Sequence, residues 1–412
     1  MRPLLLAPLL AVLLTHSSYG LGIRVADQSA AGTARSNAFA ATADDPSAVY
    51  YNPAGITQLD GLNVLSGTYG IIFGTRARVD VSPNTPYDTK YNPQALPQYY
   101  ITWKPKHDFP VAFGLGVYSP FGFDLKYPVN VPFRNIGEAG NIEFFSITPV
   151  IAWQVTPTLS IAAGPTINYG SAKLIRGVIK PADEFRFTGD DIAEGFEAGI
   201  HWQPSPMHSF GLTYHSAVGM DFQGHSHVQY QDVVVPIQVA PGVVVPFRAV
   251  KGVNHTETAD ASFHFPQFAV FGYSFRPTPD WNFEADIDWT DWDSLNTVVL
   301  KQKSGNIALP FNWRSSFMYE FGVTRTFGTW HVSAGYMYSE NSVPNESFSP
   351  LVPDSDRHVF GVGVGRKLEH WKWDLAYQFA YGPTRVISQG TVADGQYTFK
   401  SNALTFSIGY TF

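Results

Sequence analysis

The 412-residue chain contains no cysteine. Disulfide stapling is therefore excluded, and so is thiolate chemistry. A basic excess is also missing, because 27 Lys and Arg stand against 34 Asp and Glu. Without that electrostatic footprint, no nucleic-acid partner is expected. Long apolar runs are scarce. The one candidate, Leu4 to Leu14, is shorter than the roughly 20 residues that a spanning helix needs. With Arg2 before it and the small-x-small Ser18-Tyr19-Gly20 after it, residues 1–20 read as a secretory signal peptide. No other stretch qualifies as a transmembrane helix.

Aromatic residues, by contrast, are abundant, with 31 Phe, 21 Tyr and 10 Trp. Many of them sit on one parity of an alternating pattern. In the last eleven residues Leu404, Phe406, Ile408, Tyr410 and Phe412 alternate with Ala403, Thr405, Ser407, Gly409 and Thr411. A strand sends such neighbours to opposite faces, so one face is apolar and the other small or polar. The same alternation returns in 371–381, 316–323 and 283–290. In a soluble sandwich the polar face would look out to water. In a membrane barrel it lines the lumen, and the aromatic face meets lipid and forms interfacial girdles. A terminal strand ending on Phe favours the barrel.

The connections support that choice. Short turns rich in Pro, Asp or Gly fall near 104–109, 155–159, 203–208, 276–280, 327–329 and 366–370. Longer polar segments fall near 74–96, 119–141, 175–190, 222–258, 300–311, 341–356 and 384–400. The two kinds alternate strictly, and six turns with seven loops make fourteen strands. An even count with short turns at one end and long loops at the other is the outer-membrane pattern. The expected fold is thus all-β, a transmembrane antiparallel β-barrel spanning residues 62–412, in the outer membrane of a Gram-negative-type bacterium. Segment 21–61 departs from it, being Ala/Ser/Gly-rich with no period of two. It reads either as a periplasmic tail or as a compact hatch plugging the lumen, where small side chains fit; the hatch is the sharper expectation.

Several motifs resemble the FadL/TodX family of outer-membrane transporters for long-chain fatty acids and aromatic hydrocarbons. They include Gln28-Ser29-Ala30-Ala31-Gly32, Ala43-Asp44-Asp45-Pro46-Ser47-Ala48 and Asn52-Pro53-Ala54-Gly55 after the signal. Further on come Ser119-Pro120-Phe121-Gly122, Trp289-Thr290-Asp291-Trp292 and Asn312-Trp313-Arg314. Ser342-Val343-Pro344 and Val352-Pro353-Asp354-Ser355-Asp356-Arg357 complete the series. The resemblance runs in order from residue 22 to 412. It implies a fourteen-stranded barrel, an N-terminal hatch, and a hydrophobic ligand that leaves sideways through a gap beside the third strand. It implies no cofactor and no metal. The partners expected are the ligand, outer-membrane lipid with lipopolysaccharide, and the barrel-assembly machinery, around a monomer.

Candidate residues follow from the resemblance and from parity. Pro120 and Gly122 end the Gly-rich stretch 109–118. Pro lacks a ladder N–H and Gly marks close approaches, so they either open a gap or simply begin a loop. Phe121 between them is a ligand-contact candidate. Asn52, Pro53 and Ala54 are hatch or gating candidates; an Asn-Pro step also merely aims the chain at the first strand. Arg314 shares parity with Ser316 and Glu320, which directs it into the lumen as a carboxylate contact or as one half of a lumenal salt bridge. Lys173 matches a basic family position, yet its parity with Ile167 and Tyr169 points it to lipid unless Gly170 marks a bulge. Glu284, Asp286 and Asp288 form an acidic row, read as a solvated lumen face. His225 and His227 are two ligands only, too few for a metal site. Among function classes, transport of long-chain fatty acids leads and uptake of aromatic hydrocarbons follows. A general porin would want no plug, and an adhesive barrel would use its loops. An enzyme is not expected: His215 and Ser216 are the one adjacent nucleophile-base pair on a strand, and they face opposite sides.

Overall fold

The computed structural model describes residues 22–105, 109–179, 183–240 and 243–412; the segment read as a signal peptide lies outside them. Fourteen antiparallel strands close into a barrel. The first strand (Gly61–Val79) pairs with the last (Gly395–Thr411) from Asn63↔Thr411 to Val79↔Gly395, so the two terminal strands leave no free edge where the sheet closes. The terminal strand shows how the pattern works. Leu404, Phe406 and Ile408 are exposed outward, whereas Ala403, Thr405 and Ser407 are buried inward. Trp103, Trp153, Trp202, Trp330 and Trp371 are exposed close to the short turns, as expected of the periplasmic aromatic girdle.

The strands outrun the expected loops. The sixth strand begins at Glu184, the seventh ends at Tyr230, and a separate hairpin pairs Val233–Ala240 with Val243–Val250. Above the membrane both faces of a strand meet water. The hydrophobic alternation therefore fades while the backbone ladder continues, and sequence reads such segments as loop.

Residues 22–60 fill the lumen. They fold into two short helical pieces (Ala30–Ala34 and Ala48–Tyr51) and a 3-10 helix (Pro53–Gln58), nearly all of it buried. Ser29 caps the first piece by accepting from Gly32 N at 3.0 Å, and Ala30 N donates to Ser407 Oγ of the terminal strand at 3.0 Å. The small residues that made this segment look unlike a strand are what let it pack against the wall.

Candidate functional site

The third strand is broken. It runs Val111–Tyr118, is interrupted over Ser119–Phe121, and resumes as Gly122–Lys126. Pro120 and Gly122 therefore do not begin a loop; they flank a kink within a continuing strand. Pairing to the second strand stops at Tyr99↔Val117. Beyond it Gln94–Gln98 of the second strand pair on their other side, with the first strand, but have no ladder partner in the third. The wall is thus open between the two strands. The far end is bridged: Gln94 Nε2 donates to Asp124 O at 2.9 Å, Asn92 Nδ2 to Asp124 Oδ2 at 2.8 Å, and Lys90 N to Lys126 O at 2.7 Å.

The start of the hatch takes up the backbone groups freed by the kink. Val25 N donates to Pro120 O at 2.8 Å, and Gly122 N donates to Ile23 O at 2.9 Å. Gln28 Nε2 donates to Ser119 O at 2.8 Å. Buried backbone groups need such partners, so hatch and kink hold each other's geometry. Gly22 is fixed further by donating its N–H to Asp354 Oδ2 at 2.9 Å, which ties the late Val352–Arg357 motif to the chain's first described residue.

Two cavities meet at this arm. An inner cavity of about 390 Å³ lies at the wall opening, between Leu96 of the second strand, Phe121 to Phe123 of the kink, and Arg24 to Asp27 of the hatch. An outer cavity of about 320 Å³ is lined mostly by apolar groups, among them Phe187, Phe222, Phe263, Leu300 and Trp313. Ile23, Phe123, Asn141 and Ile142 line both, forming the partition between them. Phe121 sits in an aromatic cluster, 5.3 Å from Phe144 and 5.1 Å from Phe265 between ring centroids.

The inner cavity also carries charge, and both of its arginines are held by internal acids. Arg24 Nη1 is 2.5 Å from Asp288 and 2.8 Å from Thr290 Oγ1, with its guanidinium 3.6 Å above Phe268. Arg357 is 2.7 Å from Asp354 and stands 4.3 Å over Phe399. Burial pushes the Asp27 carboxyl up; Gln378 Nε2 at 2.7 Å and Asn37 Nδ2 at 3.2 Å donate to it and oppose that shift. Neither arginine stood out in the sequence, although Arg24 is one of few charges in a small-residue segment and Arg357 ends a quoted motif.

The acidic row is the clearest correction. Glu284, Asp286 and Asp288 are buried, not a solvated face. Glu284 accepts from Ala41 N at 2.6 Å, Thr42 N at 3.1 Å and Arg35 Nη2 at 2.7 Å. Asp286 accepts from Phe39 N at 3.0 Å and Ala40 N at 2.9 Å. The hatch, invisible to a strand-by-strand reading, replaces lumen water with N–H donors.

Arg314 also departs from expectation. It is exposed and lines a polar recess of about 410 Å³ with Asn341, Glu346 and Arg385, not either apolar cavity. The tenth strand starts only at Ser316, and Asn312 at φ +45° turns the chain just before, so strand parity does not extend back to Arg314. Lys173 is exposed and lines the outer cavity. Its position near the extracellular end of the fifth strand (Leu159–Arg176) puts it above the region where parity decides between lipid and lumen. Asn52, Pro53 and Ala54 are buried and line neither cavity. Asn52 caps the 3-10 helix by accepting from Ala54 N at 3.2 Å, with Pro53 at its first turn. Its Nδ2 donates to Ala40 O and to Ile200 O, both at 2.9 Å. These contacts are structural. Asn52→Ala should therefore cost about 1–3 kcal/mol of stability and leave the ratio of oleate to toluene binding unchanged; thermal unfolding and equilibrium binding check this.

The architecture defines a class: a closed fourteen-stranded outer-membrane barrel with its N-terminal segment in the lumen and two cavities beside an interruption in its own strand ladder. The chain matches the family described as outer membrane protein transport protein (OMPP1/FadL/TodX) over residues 11–412, and it belongs to that family. It is 21% identical over 439 aligned positions to the long-chain fatty acid transport protein of Escherichia coli O6:H1, covering 97% of this chain and 95% of that one. Its fold is similar to the crystal structure of a Pseudomonas aeruginosa FadL homologue, with a TM-score of 0.80 and 19% identity over 95% of this chain and 100% of that one. It is also similar to the Ralstonia pickettii toluene transporter TbuX, with a TM-score of 0.71 and 15% identity over 93% and 98% of the two chains. The protein is thus an outer-membrane transporter of hydrophobic compounds.

Proposed function

We propose that this protein carries long-chain fatty acids, or molecules of similar shape, from outside the cell into the outer membrane. The ligand enters the outer cavity, passes the partition at Ile23, Phe123 and Ile142, reaches the inner cavity, and leaves sideways through the opening beside the kinked third strand. The carrying observation is that the inner cavity is bounded by both sides of that opening, Leu96 on one and Phe123 on the other. A lateral route delivers an apolar molecule to hydrocarbon without crossing water, which the hydrophobic effect favours. The curated relatives named for long-chain fatty acid transport support the choice of cargo.

The absence of native cysteine makes the route testable. Cysteines introduced at Leu96 and Phe123 and joined by a reducible bifunctional cross-linker should block oleate uptake by cells, and reduction should restore it. Undiminished uptake by the cross-linked protein would sink the lateral exit and favour passage towards the periplasm.

A further inference from the structure

We infer that the barrel wall has a second lateral portal, between the sixth and seventh strands, which passes neutral hydrocarbons between the membrane and the outer cavity. This goes beyond the transport reading above and rests on it. The sixth strand runs unbroken over Glu184–Ser205, whereas the seventh is split into His208–His215 and Val218–Tyr230. Their ladder stops at Glu197↔His215 and resumes only at Asp190↔Gln223. Among the described residues no ladder pair joins Asp191–Phe196 to Ser216–Phe222. The margins of this seam are bridged. Phe196 N donates to Ser216 Oγ and Ser216 N to Phe196 O, both at 2.9 Å, and Asp221 N donates to Asp191 Oδ2 at 2.7 Å.

The seam lies at the height of the kink in the third strand. Tyr118, just before that kink, pairs with Ser146, Ser146 with Asn168, and Asn168 with Ala193. Backbone without ladder partners persists at membrane depth only where protein buries it or a cavity lies behind it. Here side chains close the seam from within. Val218 and Met220 are buried. A Cβ at Gly195 would stand 3.0 Å from Val218 Cγ2, and one at Gly170 would stand 2.3 Å from Met220 Sδ. Val218 thus lies against the sixth strand, and Met220 reaches across the inside of the fifth. Phe222, two residues further on, lines the outer cavity with Ala172 and Leu174 of the fifth strand. Met220 therefore stands between the seam and the cavity. Methionine is unbranched, with three rotatable bonds, so swinging it aside breaks no ladder bond.

The outer margin sets the ligand class. Ile192 and Phe196 are exposed, beside the exposed Glu194 and Asp221 and the half-buried Asp191. The two facing segments hold no Lys, Arg or His. An anionic head group would meet three carboxylates with no counter-charge among them, and like charges repel strongly where water is scarce. A neutral hydrocarbon meets apolar side chains and incurs no such penalty.

The test uses an alkane carrying a photoreactive diazirine, dissolved in phosphatidylcholine vesicles that contain the full-length protein. Illumination should label Met220 and Phe222, and a diazirine fatty acid of the same length should label them about fivefold less or below that. Cysteines introduced at Ile192 and Gly219 allow the seam to be locked with a reducible cross-linker; a Cβ at Gly219 meets nothing nearer than 3.5 Å. Locking should cut alkane labelling of both residues about fivefold or more, and reduction should restore it. The cross-link between Leu96 and Phe123 described above should leave that labelling within about twofold. Met220→Ala, which removes the plug, should speed labelling of Phe222 severalfold. Labelling unchanged by the seam lock, labelling abolished by the strand-three lock, equal labelling by the fatty acid, or no gain in Met220→Ala would each overturn the portal as drawn. Absence of alkane labelling in both cavities of the unaltered protein would instead overturn the transport reading on which it rests.

Discussion

Gly335→Leu should unseat the hatch and convert the barrel into an open pore. One cross-strand row carries Glu284, Gly322, Gly335, Gly361 and Gln378, each paired in register with the next. The two ends hold the hatch by hydrogen bonds, Glu284 through Arg35 and Gln378 through Asp27. The three glycines between them let its backbone lie against the wall. A Cβ at Gly335 would stand 2.1 Å from Arg35 C and 2.4 Å from its carbonyl oxygen; at Gly361 it would stand 2.4 Å from Thr33 O. These are backbone atoms that cannot rotate away. Overpacking in an adaptable core costs about 1–3 kcal/mol; here the clash should exceed about 3 kcal/mol and lift the hatch from the wall. The strand itself has no reason to fail, so the barrel should still insert. Planar-bilayer conductance and sensitivity of cells to a large hydrophilic antibiotic should both rise severalfold. Gly219→Ala is the matched control, because its Cβ would meet nothing nearer than His264 at 3.5 Å. Wild-type conductance in Gly335→Leu would show that the hatch does not depend on this row.

Removing Asp288 should be nearly as damaging, by a different route. Asp288 and Arg24 are both buried, and Asp288→Ala leaves a guanidinium in the lumen without its counter-charge. Breaking a buried pair from one side costs about 3–5 kcal/mol, whereas replacing both partners with apolar groups is often neutral. Arg24 lies between Ile23 and Val25, the two residues that bond to the kink. Loss of its anchor therefore loosens the arm, the partition between the cavities and the edge of the wall opening together. Oleate binding should fall by about 100-fold or more, in keeping with that energy. The double variant Arg24→Met with Asp288→Leu should recover most of the binding. If it binds no better than Asp288→Ala, the cost lies in a specific role of one of the two groups and not in the unpaired charge.

How much of this was legible beforehand follows from the range of each signal. Strand parity is local, so Thr405 and Ser407 inward with Phe406 and Ile408 outward could be read directly, and the strict alternation of short and long connections carried the strand number. The kink was half legible: Pro120 and Gly122 marked where the ladder would fail, but whether the strand resumed depended on Gly122–Lys126 finding a partner in Ala139–Thr156. Parity misplaced Arg314 because the chain there has left the strand, and it undervalued Lys173, which lines the outer cavity near the end of its strand.

The glycine row was not legible at all, and of the acidic row only its place on the lumen face was, not its burial. Glu284, Gly322, Gly335, Gly361 and Gln378 are scattered over nearly a hundred positions and become neighbours only once five strands are in register. Their meaning comes from the hatch lying across them. The sequence by itself determined a cysteine-free chain of alternating aromatic strands that close into a barrel, since hydrocarbon leaves no unpaired backbone unpunished. Only the tertiary structure decided where the strand ladder is interrupted and which charges the hatch neutralises. Those are properties of contacts between segments far apart in the chain, and no local pattern encodes them.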